Sequence, residues 1–177
     1  MAEIKRKSAK KKSTGAFIRD SFMTGVSYMI PVIVGGGVLQ AIAKLLGGYN
    51  IGAEMANIDS FAKVIYLIGS SLWSFTVPVI AAFTAYAMAD KHGLAPGFAV
   101  GAIANTINAG YLGGILGGFL VGYFVMDIKT VNVPKDFQGI ISIMVIPVVS
   151  NLACGMLMYY VIGRPIAGFM YVIQAWL

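Results

Sequence analysis

Four stretches of the chain contain no charged side chain, and each is long enough to cross a membrane as a helix. They are residues 21–43, 64–89, 93–126 and 137–163. A hydrocarbon core about 30 Å thick needs about 20 apolar residues, because a helix rises about 1.5 Å per residue. Helices of water-soluble proteins normally keep one polar face. The pattern therefore predicts an all-α polytopic membrane protein with about four to five transmembrane helices.

The third stretch is too long for one straight crossing and rather short for two. Asn105, Thr106 and Asn108 lie near its middle. Because polar amides are costly among lipid tails unless paired, we expect these side chains to face protein or a water-filled cavity. A short re-entrant or interfacial segment, followed by a crossing over residues 110–126, fits the length best.

The other three crossings are predicted at residues 22–43, 64–89 and 140–162, and each contains one proline. Proline lacks a backbone donor and can kink a helix, so we expect bent or tilted crossings. Residues 165–177 also lack charge. They predict either an interfacial amphipathic helix or further protein beyond them.

Composition agrees with a membrane protein. Hydrophobic residues make up 58% of the chain, charged residues 11%, and the mean hydropathy is +0.81. Ordinary soluble domains carry about 25% charged residues. A transmembrane β-barrel would show short segments of alternating polarity, whereas these runs are continuous.

Basic residues are concentrated before the first apolar stretch. Residues 1–20 hold seven Lys or Arg against Glu3 and Asp20. Positive flanks stay cytoplasmic, so residues 1–20 are predicted as a basic cytoplasmic tail and residues 21–177 as the membrane-embedded domain. Such a tail can also attract anionic lipid, and similar runs bind nucleic acid. We interpret it as a topology anchor and predict no nucleic-acid partner.

With the tail inside, alternation fixes the expected side of each later link. Residues 44–63 and 127–136 are then predicted outside the membrane, whereas residues 90–92 and the chain from Arg164 onward are predicted inside. The protein should therefore be a multi-pass protein with a cytoplasmic amino terminus.

Glycines recur at four-residue spacing along the predicted crossing after residue 109. The set is Gly110, Gly114, Gly118 and Gly122. This spacing puts them in one narrow stripe of a helix, where another helix can approach closely. We interpret them as helix-packing residues, within the subunit or between subunits.

Few residues could carry chemistry. His92 is the only histidine and could titrate near neutral pH, although a lone histidine at a membrane boundary is commonly structural. Cys154 is the only cysteine and lies among apolar residues, which predicts a poorly ionised packing residue. We predict no catalytic residue, no metal site and no cofactor, and the charge-free runs offer no carrier for a proton relay.

Several stretches of the sequence resemble the fructose-family enzyme IIC of the bacterial phosphoenolpyruvate-dependent sugar phosphotransferase system. The similar stretches are residues 22–31, 35–37, 87–98, 109–115, 122–135, 138–139, 146–147 and 160–166. They follow in order over nearly all of residues 20–177. The resemblance implies the amino-terminal half of a permease in the bacterial inner membrane.

What the family implies is uptake of a hexose, usually fructose, coupled to its phosphorylation by the cytoplasmic partner enzyme IIB. The phosphocysteine belongs to enzyme IIB, so Cys154 is not given that role. Such permeases are about twice as long, and much of the sugar site is expected in the second half. Asn105 and Asn108, whose amides can donate and accept, are the candidate sugar-binding residues, with His92 as a further candidate.

The residues leave two other interpretations open. One is a non-catalytic scaffold or dimerisation half of a split permease, in which the predicted partners are a second copy, a second enzyme IIC half and membrane lipid. The other is an unrelated membrane protein whose glycine stripe serves oligomerisation. For Asn105 and Asn108, satisfying helix ends in a re-entrant segment is an equally open role.

Overall fold

The computed structural model describes residues 13–52, 60–130 and 144–176. In this part of the chain the ordered elements are helices. They are α1 (Thr14–Gly47), a 3₁₀ turn (Tyr49–Gly52), α2 (Phe61–Ser74), α3 (Thr76–Ala89), α4 (Lys91–Thr106), α5 (Gly110–Lys129), α6 (Ile146–Leu157), a π-helical turn (Met158–Ile162) and α7 (Gly163–Trp176).

Four helical segments are long and apolar enough to cross a membrane. They are Thr14–Gly47, Phe61–Ala89, Gly110–Lys129 and Ile146–Ile173. The predicted class, an all-α polytopic membrane protein, is therefore confirmed. α4 occupies the part of the chain for which a short re-entrant or interfacial segment is predicted, and its 16 residues extend about 24 Å.

Prolines act differently in the three predicted crossings. Pro31 lies inside α1, which continues through it as one helix of 34 residues. Pro147 lies at the start of α6, where the first N–H groups have no partner within the helix. Only Pro78 accompanies an interruption, because the helix pair α2 and α3 breaks at Phe75. An interruption of the helix thus accompanies one of the three prolines.

The first two long helices form an antiparallel pair. A Cβ built at Gly36 of α1 would lie 3.0 Å from the Gly69 carbonyl oxygen of α2. Gly25, nearer the start of α1, contacts Thr84 and the Ile80 carbonyl of α3. Because rising numbers on α1 meet falling numbers on α2 and α3, the start of α1 lies beside the end of α3.

α4 and α5 form a hairpin that starts and finishes at the same end of the bundle. Asp90 alone joins α3 to α4, and α4 runs back along α3. A Cβ at Gly101 would lie 2.6 Å from the Cα of Pro78. α5 then returns parallel to α3, and the Lys129 amine donates to the Ala89 carbonyl at 2.6 Å.

This hairpin corrects the predicted sides of two links. Alternation placed residues 90–92 and 127–136 on opposite sides, yet Lys129 lies 3.5 Å from Asp90. The reason is that α4 does not return to the Asp90 end by itself, and α5, which was predicted to be a full crossing, supplies that return. Beyond the hairpin, α6 and α7 run away from the Asp90 end, so Arg164 does not share the side of Asp90 as predicted.

The direction of α6 and α7 follows from three contacts. A Cβ at Gly155 would lie 3.2 Å from Ile103 of α4, and Gly163 contacts Ile107 at the end of α4. A Cβ at Gly110 would lie 3.5 Å from Met170 of α7. The core lies between these helices, with Val100, Val121, Val125, Cys154 and Met158 fully buried.

Candidate functional site

The turn between α4 and α5 lies halfway along the long helix pair Phe61–Ala89. Its level is set by Asn105, whose side-chain amide Nδ2 donates to the Ser74 carbonyl at 3.4 Å. Ser74 is the last residue of α2, next to the break at Phe75. The two interruptions of helix in this part of the bundle therefore meet at one level.

Pro78 explains why Asn105 can bond there. The Ser74 carbonyl would normally accept from the N–H of residue 78, which proline lacks. Asn105 supplies a donor instead, and the Thr76 hydroxyl donates to the neighbouring Trp73 carbonyl at 2.7 Å. The Asn105 side chain is otherwise exposed. It thus partly satisfies a helix end and partly faces outward.

Asn108 ends α4 through its backbone. Its φ is 57°, in the left-handed region that glycine and asparagine tolerate best. Its N–H donates to the Asn105 carbonyl at 3.2 Å, and the Ala109 N–H donates to the Ala104 carbonyl at 2.9 Å. This is the Schellman arrangement of a helix C-terminus. The Asn108 side chain is exposed.

His92 lies far from both asparagines. It occupies the first turn of α4, so 13 residues of helix, about 20 Å, separate it from Asn105. Burial lowers the pKa of His92, the positive charges of Lys129 and Lys91 lower it further, and Asp90 opposes them. Its Nδ1 is buried without a hydrogen-bond partner. The three candidate sugar-binding residues therefore do not form one site.

The glycine stripe of α5 divides between two roles. Cβ atoms at Gly114, Gly118 and Gly122 would lie 2.8, 2.7 and 2.5 Å from atoms of α3. These three glycines contact α3 within the subunit. Gly110 is different, because its φ is 57° at the start of α5 and its nearest neighbour is Met170 at 3.5 Å.

Sequence reasoning missed a second glycine pair and the polar end of α2. A Cβ at Gly113 would lie 3.0 Å from Met158, and one at Gly117 would lie 2.5 Å from Val100. Their four-residue spacing was visible in the sequence and predicts a second contact face. Ser71 and Ser74, exposed at the end of α2, were missed because each serine alone is unremarkable in a membrane helix.

A cavity of about 490 Å³ lies at the Asp90 end of the bundle. The start of α1 and the end of α3 form its walls, and Asp20, Thr24, Tyr86 and Asp90 are among the lining residues. Lys129 is 3.5 Å from Asp90, and Arg19 is 3.7 Å from Asp20. Polar groups therefore occur both at this end and at mid-span, in two separate places.

These helices and their polar interruptions define an all-α polytopic membrane protein. Comparison with curated proteins then gives its family. The chain is 36% identical over 94% of its length to the PTS system fructose-specific EIIABC component of Bacillus subtilis strain 168. It is 35% identical over 94% to the PTS system 2-O-alpha-mannosyl-D-glycerate-specific EIIABC component of Escherichia coli K12. It is 32% identical over 85% to the PTS system fructose-specific EIIC component of Haloferax volcanii.

The resemblance found in the sequence is thereby confirmed, and the chain belongs to the fructose family of PTS enzyme IIC proteins. It spans only 27%, 26% and 45% of the lengths of those three relatives. No family model and no solved structure matches it significantly.

Proposed function

We propose that this chain is part of the permease component, enzyme IIC, of a fructose-type sugar phosphotransferase system. In this role it helps to move a hexose inward while enzyme IIB phosphorylates the sugar. The observation that carries the proposal is similarity along more than nine tenths of the chain to proteins named as such components. The relatives are named for different sugars, fructose and mannosylglycerate among them, so the proposal specifies a hexose and no single sugar.

Two structural features support a transport role. Helix interruptions meet at mid-span, where transporters commonly place their substrate. Asn105 and Asn108 lie exposed beside them, and in this proposal their amides face the sugar. His92, about 20 Å away by helix length, lines the cytoplasmic mouth in this proposal and does not share a sugar position with them.

The phosphoryl group is carried by the partner in this proposal. Cys154 is fully buried in α6, so no phosphoryl donor can reach its thiol in this fold. Relatives named EIIABC and EIIBC carry the A or B components in the same chain as C. Enzyme IIB is accordingly the proposed cytoplasmic partner.

The proposed orientation has the amino terminus in the cytoplasm of a bacterium and the protein in its inner membrane. Among the described residues, Arg19, Lys91 and Lys129 lie toward the Asp90 end of the bundle and Lys44 and Lys63 toward the other, whereas Arg164 follows Gly163, which contacts Ile107 at the mid-span turn. Six more basic residues lie between positions 5 and 12 of the sequence. The positive-inside rule therefore favours a cytoplasmic Asp90 end.

A scaffold role is the second candidate function. It is favoured by the dense packing of α3, α4 and α5 through small residues. In this version the chain assembles with a second enzyme IIC half, or with a second copy, and does not transport alone. Homodimer formation and specific lipid contacts belong to this version.

The test is sugar uptake and phosphorylation in vesicles. The vesicles contain the chain, the cytoplasmic phosphotransfer proteins and phosphoenolpyruvate, with and without the remaining half of a related permease. Fructose, mannitol and mannosylglycerate are the test sugars. Sugar phosphate that forms only with the second half supports the proposal. Sugar phosphate that forms with the chain alone contradicts the scaffold role. No product in either arrangement contradicts the permease function.

A further inference from the structure

Uncharged polar side chains are exposed at mid-span on two different helices. Ser71 and Ser74 end α2, and Asn105 and Thr106 end α4. The hydrogen bond from the Asn105 amide to the Ser74 carbonyl brings the two groups together. We call these four residues the mid-span polar surface.

This surface lies away from the helix contacts of α2. α2 packs on α1 through Gly69 and Leu72. A Cβ at Gly69 would lie 2.9 Å from the Gly36 carbonyl oxygen, and a Cβ at Gly36 would lie 3.4 Å from the Cβ of Leu72. Ser71 and Ser74 point elsewhere, because residues two positions apart on a helix do not share a face. The surface is therefore free of the packing that fixes α2.

Hydrogen-bonding capacity remains at the surface. The Ser74 hydroxyl donates to the Ser71 carbonyl at 2.7 Å, and the Thr106 hydroxyl donates to the Ala102 carbonyl at 3.0 Å. Each hydroxyl oxygen still has lone pairs to accept. The Asn105 amide has a second N–H and a carbonyl oxygen. Both accepting and donating groups are thus available to a ligand.

The depth of the surface makes contact of lipid tails with the Asn105 amide and with the broken helix end unfavourable. Ser74 is the fourteenth residue of the 29-residue span Phe61–Ala89. At such depth, broken helices and polar side chains are tolerated where they are buried in protein or line water. Either a protein segment or an aqueous path therefore covers these residues in the assembled protein.

The chemistry of the surface favours an uncharged polyol. Its four side chains carry hydroxyl or amide groups, and the runs to which they belong, residues 64–89 and 93–126, contain no charged side chain. Arg164, which follows Gly163 at the level of Ile107, lies over the rings of Tyr159 and Tyr160, 6.0 and 5.7 Å from their centroids. Phe75, in the break itself, is 53% exposed and offers an apolar ring beside them. Apolar walls with a few placed polar groups are typical of small-molecule sites.

We propose that the mid-span polar surface lines the aqueous sugar path and contacts the hexose through Ser71, Ser74, Asn105 and Thr106. This inference rests on the proposed permease function and deepens it, because it identifies the substrate-contacting face of this chain. It adds the end of α2 to the site and makes the break at Phe75 part of it.

Single cysteines test the proposal by their reactivity in membranes. Ser71→Cys and Asn105→Cys are made in a Cys154→Ala background and assembled with the second half of a related permease. Val34→Cys is the matched control, since Val34 is 56% exposed on α1 two residues from the contact of Gly36 with α2. Helix content and monodispersity of each variant are checked before labelling.

A membrane-impermeant thiosulfonate is expected to label both test cysteines and to leave Val34→Cys unlabelled. Fructose or mannitol at ten times its dissociation constant should slow labelling about tenfold by mass action. Test cysteines that react no faster than Val34→Cys would show a surface covered by protein or lipid and overturn the proposal. Fast labelling that no test sugar slows also overturns it.

The same vesicles separate this inference from the permease function. If a sugar is phosphorylated but does not protect Ser71→Cys from labelling, the inferred contact is contradicted and the proposed permease function is kept. If a sugar protects the cysteine but is never phosphorylated, the inferred contact is supported and the coupling of transport to phosphorylation is contradicted.

Discussion

α2 and α3 are two halves of one apolar span, and they differ sharply in their surroundings. Each has 14 residues, yet α3 buries eleven of them and α2 buries two, Lys63 and Gly69. α3 is enclosed by α1, α4 and α5, whereas α2 packs chiefly on α1. The bundle is therefore dense from mid-span to the Asp90 end and open from mid-span to the opposite end.

The difference shows what hydropathy does and does not specify. The charge-free run of residues 64–89 holds most of α2 and all of α3, so hydropathy assigns both helices to the membrane and does not show which helices pack against them. Side-chain size separates them better. α3 carries five alanines, against which glycines of α4 and α5 pack, and α2 carries three serines and large apolar residues. Small residues mark helix packing in membranes because they let backbones approach.

The largest expected effect is in the dense half. Gly118→Ala would place a Cβ 2.7 Å from the Ala81 carbonyl oxygen and 2.9 Å from Thr84 Cβ. Overpacking of this kind costs about 1–3 kcal/mol. We expect the variant to unfold at lower denaturant concentration in detergent, measured by circular dichroism.

Gly168→Ala is the matched control for that prediction. Gly168 lies in α7, and a Cβ there has no neighbour within 4 Å among the described residues. Replacement of a helical glycine by alanine then favours the helix by roughly 0.5–1 kcal/mol. Equal destabilisation by the two variants would contradict the contrast between the dense and open halves.

The second effect concerns the Asp90 end of the dense half, where Lys129 contacts the end of α3. Lys129→Met removes the amine that donates to the Ala89 carbonyl at 2.6 Å and lies 3.5 Å from Asp90. Because the Lys129 side chain is 29% exposed, water screens part of the loss, and we expect about 1–2 kcal/mol. The same unfolding measurement checks it. Arg19→Met, at a side chain 78% exposed, should change stability far less, and a larger effect there would refute the assignment.

Much of the fold follows from the sequence for simple physical reasons. Long charge-free runs specify membrane helices, and Pro78 specifies a weak point because it removes a donor. These features do not predict that α5 runs back to the Asp90 end, where α4 begins. Hydropathy records depth of burial in lipid and is the same for a crossing and for a hairpin that turns back. The deciding contact, from Lys129 to Ala89, joins residues 40 positions apart.

The candidate site was only partly predictable. Asn105 and Asn108 were recognised as unusual polar residues in an apolar run, but their structural roles differ, since Asn105 bonds through its side chain and Asn108 ends a helix through its backbone. Asn108 followed by Gly110 is a helix-end signal that the sequence does contain. The bond from Asn105 to Ser74 depends on tertiary structure, since it needs both the break before Pro78 and the length of α4. Ser74 therefore joined the site only through the fold.

A third effect tests the boundary between the two halves. Asn108→Val places a β-branched residue at φ 57°, which costs about 1 kcal/mol, whereas Asn108→Gly should leave stability nearly unchanged. Thermal unfolding in detergent compares the two. Asn108→Gly also separates the backbone from the amide. If sugar uptake by the assembled permease falls in this stable variant, the side chain contacts the sugar, and if uptake is kept, Asn108 serves the helix end alone.

The smallest expected effect is a pH dependence of stability, caused by His92 at the Asp90 end. Burial, together with Lys129 and Lys91, lowers the pKa of His92 from 6.5 in the folded protein. The unfolded chain therefore binds the proton more readily, so His92 contributes its full stability above pH 6.5 and loses it as pH falls through the folded pKa. We expect the thermal midpoint to fall slightly from pH 7.5 to pH 5, and to fall less in His92→Gln.

Lys129 provides a second check on this pH dependence. Removal of its charge in Lys129→Met should raise the pKa of His92 toward 6.5, because that charge is the second cause of the shift after burial. Nuclear magnetic resonance titration of the single histidine ring measures the change directly. A pKa that is unmoved by Lys129→Met would place the amine away from the ring in solution. It would also contradict the contact of Lys129 with the Asp90 end of the bundle, which is part of the contrast between the dense and open halves.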